Sequence, residues 1–164
     1  MEQSIKLFII LGTKKFPFKR LIQAIEKIVE NGIYQKDEVL IQSGIVQDKS
    51  SLINITSSIP VDEFNRIIEY ADIIITHAGV NSILSCMKLQ KKFIVVPRLK
   101  QYGEHVDNHQ TEIAKVIEKQ FNVLVLNDID KLLQCLVDVR DHVYEPWCFD
   151  NKMLLKSISD FIVE

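Results

Sequence analysis

Short apolar runs alternate with amphipathic stretches along most of this chain, and that alternation restricts its fold more than any other feature. Residues Leu7–Leu11 form a continuous apolar run ending at Gly12-Thr13, the pattern of a strand buried on both faces. From Phe18 to Asn31 the residues Leu21, Ile22, Ile25, Ile28 and Val29 recur at three- and four-residue spacing, which predicts a helix, and Asn31-Gly32 is expected to stop it. Glu38–Gln42 and Leu52–Thr56 predict two more strands. After Pro60, Asp62 is expected to cap a helix carrying Phe64, Ile67 and Ile68, before Asp72–Thr76 reads as a central strand. A helix with Ile83, Leu84 and Met87 follows Gly79, and Phe93–Val96 is the next buried strand, ending at Pro97. Beyond a polar loop from Arg98 to Asn108, a helix with Ile113, Ala114 and Ile117 is expected. A strand at Val123–Leu126 and a helix with Ile129, Leu132, Leu133, Leu136 and Val137 follow it. A last amphipathic helix is expected through Leu154, Leu155, Ile158, Phe161 and Ile162. Strands that alternate with helices in this way imply an α/β protein, a parallel sheet wound on both faces with right-handed connections.

At 164 residues the chain is long enough for one well-buried core, so a single domain over 1–164 is expected. Its net charge of −2 is too even for a general nucleic-acid binder, which needs a strongly positive face, so no nucleic-acid partner is expected. The three cysteines, Cys86, Cys135 and Cys148, are odd in number and widely spaced, forming neither a CxxC pair nor a disulfide framework, so a reducing cytosol is expected. No apolar run approaches the roughly 18–20 residues that cross a bilayer. Work at a membrane would therefore depend on another protein for attachment.

In open parallel sheets, ligands bind at the carboxyl ends of the strands, where loops enter helix N-termini. Here the central strand runs into His77-Ala78-Gly79-Val80-Asn81-Ser82. A glycine at that turn allows close backbone approach, and a helix start with Asn81 and Ser82 suits a phosphate without requiring a metal. The same turn also fits a glycine kept only for backbone geometry. The next loop, Pro97 to Gln110, is long and polar, and Glu104, His105, Asn108, His109 and Gln110 offer donors and acceptors for sugar hydroxyls. Its histidines and glutamate also suit proton transfer. A merely solvated loop would look similar. The pair His105-x-x-x-His109 has the spacing of metal ligands but no third partner in view, and no metal is expected. GxSxG, GxxxxGK[ST] and GxGxxG are absent. Lys14, Lys15, Lys19 and Arg20, around Phe16 and Phe18, suit a diphosphate, a partner or anionic lipid, and equally a solvated loop.

With these segments placed, the chain resembles the bacterial exopolysaccharide and capsule glycosyltransferases that are similar to the C-terminal domain of glycosyltransferase family 28. The eukaryotic relatives of that family are the catalytic subunits of the split GlcNAc transferase of N-glycan assembly. The resemblance covers nearly the whole chain. It is carried by Gly12-Thr13 with Phe16-Pro17-Phe18 and Arg20-Leu21, by Ala71 to Gly79 with Ser82-Ile83, and by Val95-Val96-Pro97-Arg98 through Tyr102-Gly103-Glu104-His105 and Asn108-His109-Gln110. It implies a Rossmann-like fold, equivalent to the donor-binding half of a GT-B glycosyltransferase. It further implies that the Val61 backbone and Phe64 border a uracil, that Gly79, Asn81 and Ser82 face the diphosphate, and that His109 and Gln110 reach the donor sugar. Gly12, Thr13, His77, Arg98 and Asn108 are expected to complete this donor site, with Glu104 and His105 as the candidate catalytic base.

The activity so implied is inverting, metal-independent transfer of a hexose, galactose as first choice, from a UDP-sugar to a lipid-linked saccharide. UDP-sugar is a substrate here and no cofactor is expected. The acceptor-side half would come from a membrane-anchored partner subunit, placing the protein at the cytoplasmic face of the cell membrane. The chain departs from its relatives at Lys14, where they usually carry His, and at Asn81, where Gly is common. It also has Ser85 where larger members hold the ribose with an acidic residue. Those departures fit a second function, a non-catalytic nucleotide-sugar-binding or regulatory subunit. A nucleotide-sugar epimerase or hydrolase is a third.

Overall fold

A computed structural model describes residues 5–12, 16–45 and 48–146. The expected last helix, Thr13, Lys14, Lys15 and Cys148 lie outside the described residues. Six strands form one parallel sheet: β1 (Leu7–Ile10), β2 (Val39–Gln42), β3 (Asn54–Thr56), β4 (Ile73–Thr76), β5 (Lys92–Val95) and β6 (Leu124–Val125). They lie in the order β3-β2-β1-β4-β5-β6. The helices are α1 (Lys19–Glu30), α2 (Val61–Tyr70), α3 (Val80–Lys88), α4 (His109–Phe121) and α5 (Leu132–Asp141).

The continuous apolar runs are explained by two cores, one on each face of the sheet. Leu7, Ile9, Val39, Ile41, Ile73, Ile75 and Ile94 point to one side. There they pack against Leu21, Ile25 and Ile28 of α1 and Leu132, Leu136 and Val139 of α5. The alternate residues Phe8, Ile10, Ile74, Phe93 and Val95 point to the other side, against α2, α3 and α4 through Ile68, Ile83, Cys86, Ala114 and Ile117. Each such fully buried aliphatic side chain contributes about 1.5–3 kcal/mol. The buried positions of strands covered on both faces are therefore apolar except at the carboxyl ends, where Gln42 closes β2 and Thr76 closes β4.

Local signals set the helix limits. The last turn of α1 closes as a Schellman motif: Gly32, at φ +72°, donates to Val29 O and Ile33 donates to Ile28 O. Asp62 does not cap α2 as expected. The helix starts two residues earlier, at Val61 behind Pro60, whose carbonyl receives the Phe64 N–H at 2.8 Å. Asp62 instead stands in the first turn, where its charge suits the positive end of the helix.

After β3 the chain crosses back over the sheet to add β4 on the far side of β1, in register Leu7↔Ile73 to Ile10↔Thr76. The direction of winding reverses between β1 and β4. Loops leaving those two strands diverge to opposite faces and open a crevice at their carboxyl ends.

Candidate functional site

That crevice is a cleft of about 760 Å³. It brings together Gly12, Val61, Phe64, His77, Gly79, Asn81, Ser82, Arg98, His105, His109 and Gln110 from the expected site. Glu104 and Asn108 are not among its walls.

At its floor the His77 imidazole is packed between two glycines. A Cβ on Gly79 would stand 2.5 Å from His77 Cε1, and one on Gly12 would stand 2.8 Å from the same atom. Gly12 also needs its left-handed φ of +77°. Gly79 does not, with φ −86° and ψ 117°, so glycine is required there by the neighbouring ring rather than by a tight turn. His77 Nδ1 lies 3.3 Å from Ile10 O, where only a protonated nitrogen can bond.

Directly beyond Gly79, α3 begins. Its first intrahelical bond runs from Ile83 N–H to Gly79 O, so the amides of Val80, Asn81 and Ser82 precede the helix ladder and sit at the cleft wall. Amides outside the helix ladder and the positive helix end are the features with which a helix start can take an anion. The Ser85 hydroxyl, also in the wall, is committed to Asn81 O at 3.0 Å.

Arg98 lines the cleft while its guanidinium is bonded to backbone carbonyls. The side chain is 2% exposed and donates to Leu11 O (2.7 Å), Phe16 O (2.6 Å) and Glu104 O (3.2 Å), with Phe18 stacked 4.8 Å away. Burial pulls the guanidinium down to about 10, opposed by the Glu104 charge, so it remains cationic at neutral pH. Arg98 is thus a clamp joining the loop after β1 to the loop after β5. Its own N–H donates to Gln110 Oε1 at 3.0 Å, which fixes the amide of Gln110 and leaves the NH₂ as its donor for the cleft.

Glu104 is likewise structural. It is 2% exposed, and its carboxylate takes both Arg20 Nε and Nη2 at 3.0 Å and the Leu99 N–H at 2.9 Å. This pair lines a separate groove between α1 and α5, so the expectation that Glu104 acts as a base does not fit its position. Glu104→Gln is expected to lower unfolding free energy by about 2 kcal/mol, because Arg20 is left half-paired in a part-buried site. Urea denaturation checks this, and a loss below about 0.5 kcal/mol would show that the pair is dispensable. Asn108 Oδ1 accepts from Lys100 N and braces the same loop.

His105 does face the cleft, with its ring against Phe16 at 5.7 Å and Nδ1 2.9 Å from Asp107 Oδ1. His109 opens α4, its N–H bonded to that same Asp107 oxygen and its Nδ1 3.8 Å from Glu112 Oε2. Among the described residues no group of three or more His, Cys, Asp or Glu is arranged to hold a metal ion. Phe64 meets Phe8 edge-on at 5.5 Å, while Val61 is 73% exposed at the rim. Sequence reasoning missed Gln42, a buried polar residue in the cleft wall. A polar side chain closing an apolar strand at its carboxyl end was the available signal.

Residues 6–153 match the model of the glycosyltransferase family 28 C-terminal domain. Among curated proteins, the chain is similar to the UDP-N-acetylglucosamine transferase subunit ALG13 of Candida albicans. They are 38% identical over 91 residues, covering 56% of this chain and 29% of that one. The same subunit of Yarrowia lipolytica is 29% identical over 99 residues, covering 59% of this chain and 48% of its own length. The chain thus spans less than half of either relative. Among solved structures, the glycotransferase of kitacinnamycin aligns with TM-score 0.56 and 12% identity, over 87% of this chain and 36% of that one. The NMR structure of ALG13 aligns with TM-score 0.55 and 19% identity, over 87% and 89%. At these identities the likeness is one of fold, the Rossmann-like C-terminal half of a GT-B glycosyltransferase.

Proposed function

The chain belongs to the glycosyltransferase family 28 C-terminal domain family, and from that premise we propose that it binds a UDP-sugar in the β1–β4 cleft and transfers the sugar with inversion and without a metal. The observation that carries this reading is the start of α3, where three backbone amides at a cleft wall meet the requirements of a diphosphate. Phe64 and the Val61 backbone would border the uracil, and His109 and the Gln110 NH₂ would reach the sugar. As the C1–O bond breaks, negative charge grows on the diphosphate, and the fixed amides stabilise it without reorganising.

The acceptor we assign is a saccharide on a lipid carrier at the cytoplasmic face of a membrane, of the kind extended in capsule or exopolysaccharide assembly. A membrane-anchored partner would supply the acceptor-side half. The word subunit in the names of the fungal relatives supports a partner. Those names support N-acetylglucosamine beside galactose as the sugar, and lend nothing to a capsule setting. Among the described residues no helix is long and apolar enough to cross a membrane.

Calorimetric titration with UDP, UDP-GlcNAc and UDP-galactose, with and without EDTA, tests the reading. Ser82→Asp is the informative variant, because an acidic residue in the first turn suits the helix yet repels a diphosphate. UDP binding is expected to ignore EDTA and to weaken at least about tenfold in Ser82→Asp, with thermal stability kept. Equal UDP affinity in parent and variant would overturn the placement. Binding of UDP-sugars without any transfer by membranes containing the partner would favour the regulatory alternative.

A further inference from the structure

We propose that Asp107 is a positioning residue that orients His105 to accept the proton of the acceptor hydroxyl; this rests on the transferase reading above. The loop that carries both residues is braced from within. Glu104 is tied to Arg20 and Leu99, Asn108 to Lys100, and Gly103 turns the chain in the left-handed region at φ +68°. His105 therefore follows a buried, ion-paired residue and is not free to wander. Its ring is held against Phe16 at one wall of the cleft.

Asp107 Oδ1 stands 2.9 Å from His105 Nδ1 and also receives the His109 N–H at 3.0 Å, which fixes the carboxylate against the first residue of α4. Asp107 N–H also approaches Nδ1, at 3.4 Å, a contact that would need Nδ1 as acceptor. The shorter, charge-assisted contact wins, so Nδ1 carries the proton and Nε2 keeps the lone pair. The His109 amide, and then His105 itself, hold the Asp107 carboxyl below its usual range, which keeps it anionic at neutral pH. Other charged or titratable groups at this part of the cleft are Arg98 in the loop after β5 and His77 after β4, with His109 and its neighbour Glu112 on α4.

In the step this implies, the acceptor oxygen bonds to C1 of the sugar as its proton passes to His105 Nε2. The bond from C1 to the β-phosphate oxygen breaks, and its electron pair leaves on UDP. The imidazolium formed is offset by Asp107, which does not itself take the proton. His105 is the catalytic residue and Asp107 acts through it.

Two measurements test this. In nitrogen-15 NMR of the chain above the histidine titration range, His105 is expected as the Nδ1–H tautomer, a preference lost in Asp107→Ala. A parent His105 protonated at Nε2 would overturn the proposal. The second uses membranes from cells in which variants replace the parent, following radiolabelled sugar from UDP-GlcNAc or UDP-galactose into lipid. His105→Ala is expected to lose about a hundredfold in rate with UDP affinity unchanged, and Asp107→Asn about tenfold. The double variant should be no slower than His105→Ala alone, because the two act as a unit. A merely structural Asp107 would slow the double variant further, and variants as fast as the parent would remove the proposal while leaving the transferase reading intact. A parent that binds UDP and transfers nothing would remove both.

Discussion

Replacing Arg98 with leucine is expected to lower unfolding free energy by about 3–5 kcal/mol, which is a large share of what holds a domain of this size together. Leucine fills much of the buried volume but donates nothing. The carbonyls of Leu11, Phe16 and Glu104 would each lose their donor, at about 1–3 kcal/mol for any that stays dry. Arg98→Lys should recover only part of the loss, because one ammonium on a thinner stem cannot reproduce the fork that spans two loops. Urea unfolding measures this, with a lower midpoint and an unchanged slope. UDP affinity should fall too, since the same side chain ties Leu11, next to the Gly12 turn, to the loop after β5. A leucine variant within about 1 kcal/mol of the parent would show that the three bonds are replaced by water at no loss.

Gly79→Ala is expected to destabilise by about 3 kcal/mol and to abolish measurable UDP binding. The backbone conformation at Gly79 suits alanine, so the entire effect comes from the methyl group meeting the His77 ring at 2.5 Å. Either the ring must turn away from Ile10 O or the start of α3 must move, and both disturb the cleft floor. Because the conflict is with one side chain, His77→Ala in the Gly79→Ala background should restore much of the stability. The coupling in that double-mutant cycle should exceed about 1 kcal/mol. Strict additivity would place the strain in the backbone instead.

These two positions show where a reader of the sequence succeeds and where the third dimension intervenes. The inner strands are legible because β1, β4 and β5 are covered on both faces, so burial leaves apolar runs in the sequence, whereas the part-buried edge strands β3 and β6 carry a weaker signal. The His77–Ser82 segment is legible as a strand end running into a helix start because a parallel sheet presents helix starts at strand ends. A further reason for its glycine lies outside a linear string, which does not show that a ring two residues earlier occupies the space of a missing Cβ. The sequence offers Glu104 as a candidate base and, through the resemblance, Arg98 as part of the donor site, and neither reading could foresee that both side chains are buried. Their burial is decided by Phe16 and Arg20, more than seventy positions away in the chain. Asp107 was passed over because its value lies only in a distance to His105.

Among the described residues the sheet ends in short strands on both sides. β3 offers three residues and β6 only two, so neither margin presents the long row of open amides and carbonyls on which another chain can extend a sheet. Lateral growth of that kind would gain only a handful of main-chain bonds and carries little information about sequence. A neighbour that meets either margin of the described sheet would therefore have to recognise side chains and loops, which mutation can alter one at a time.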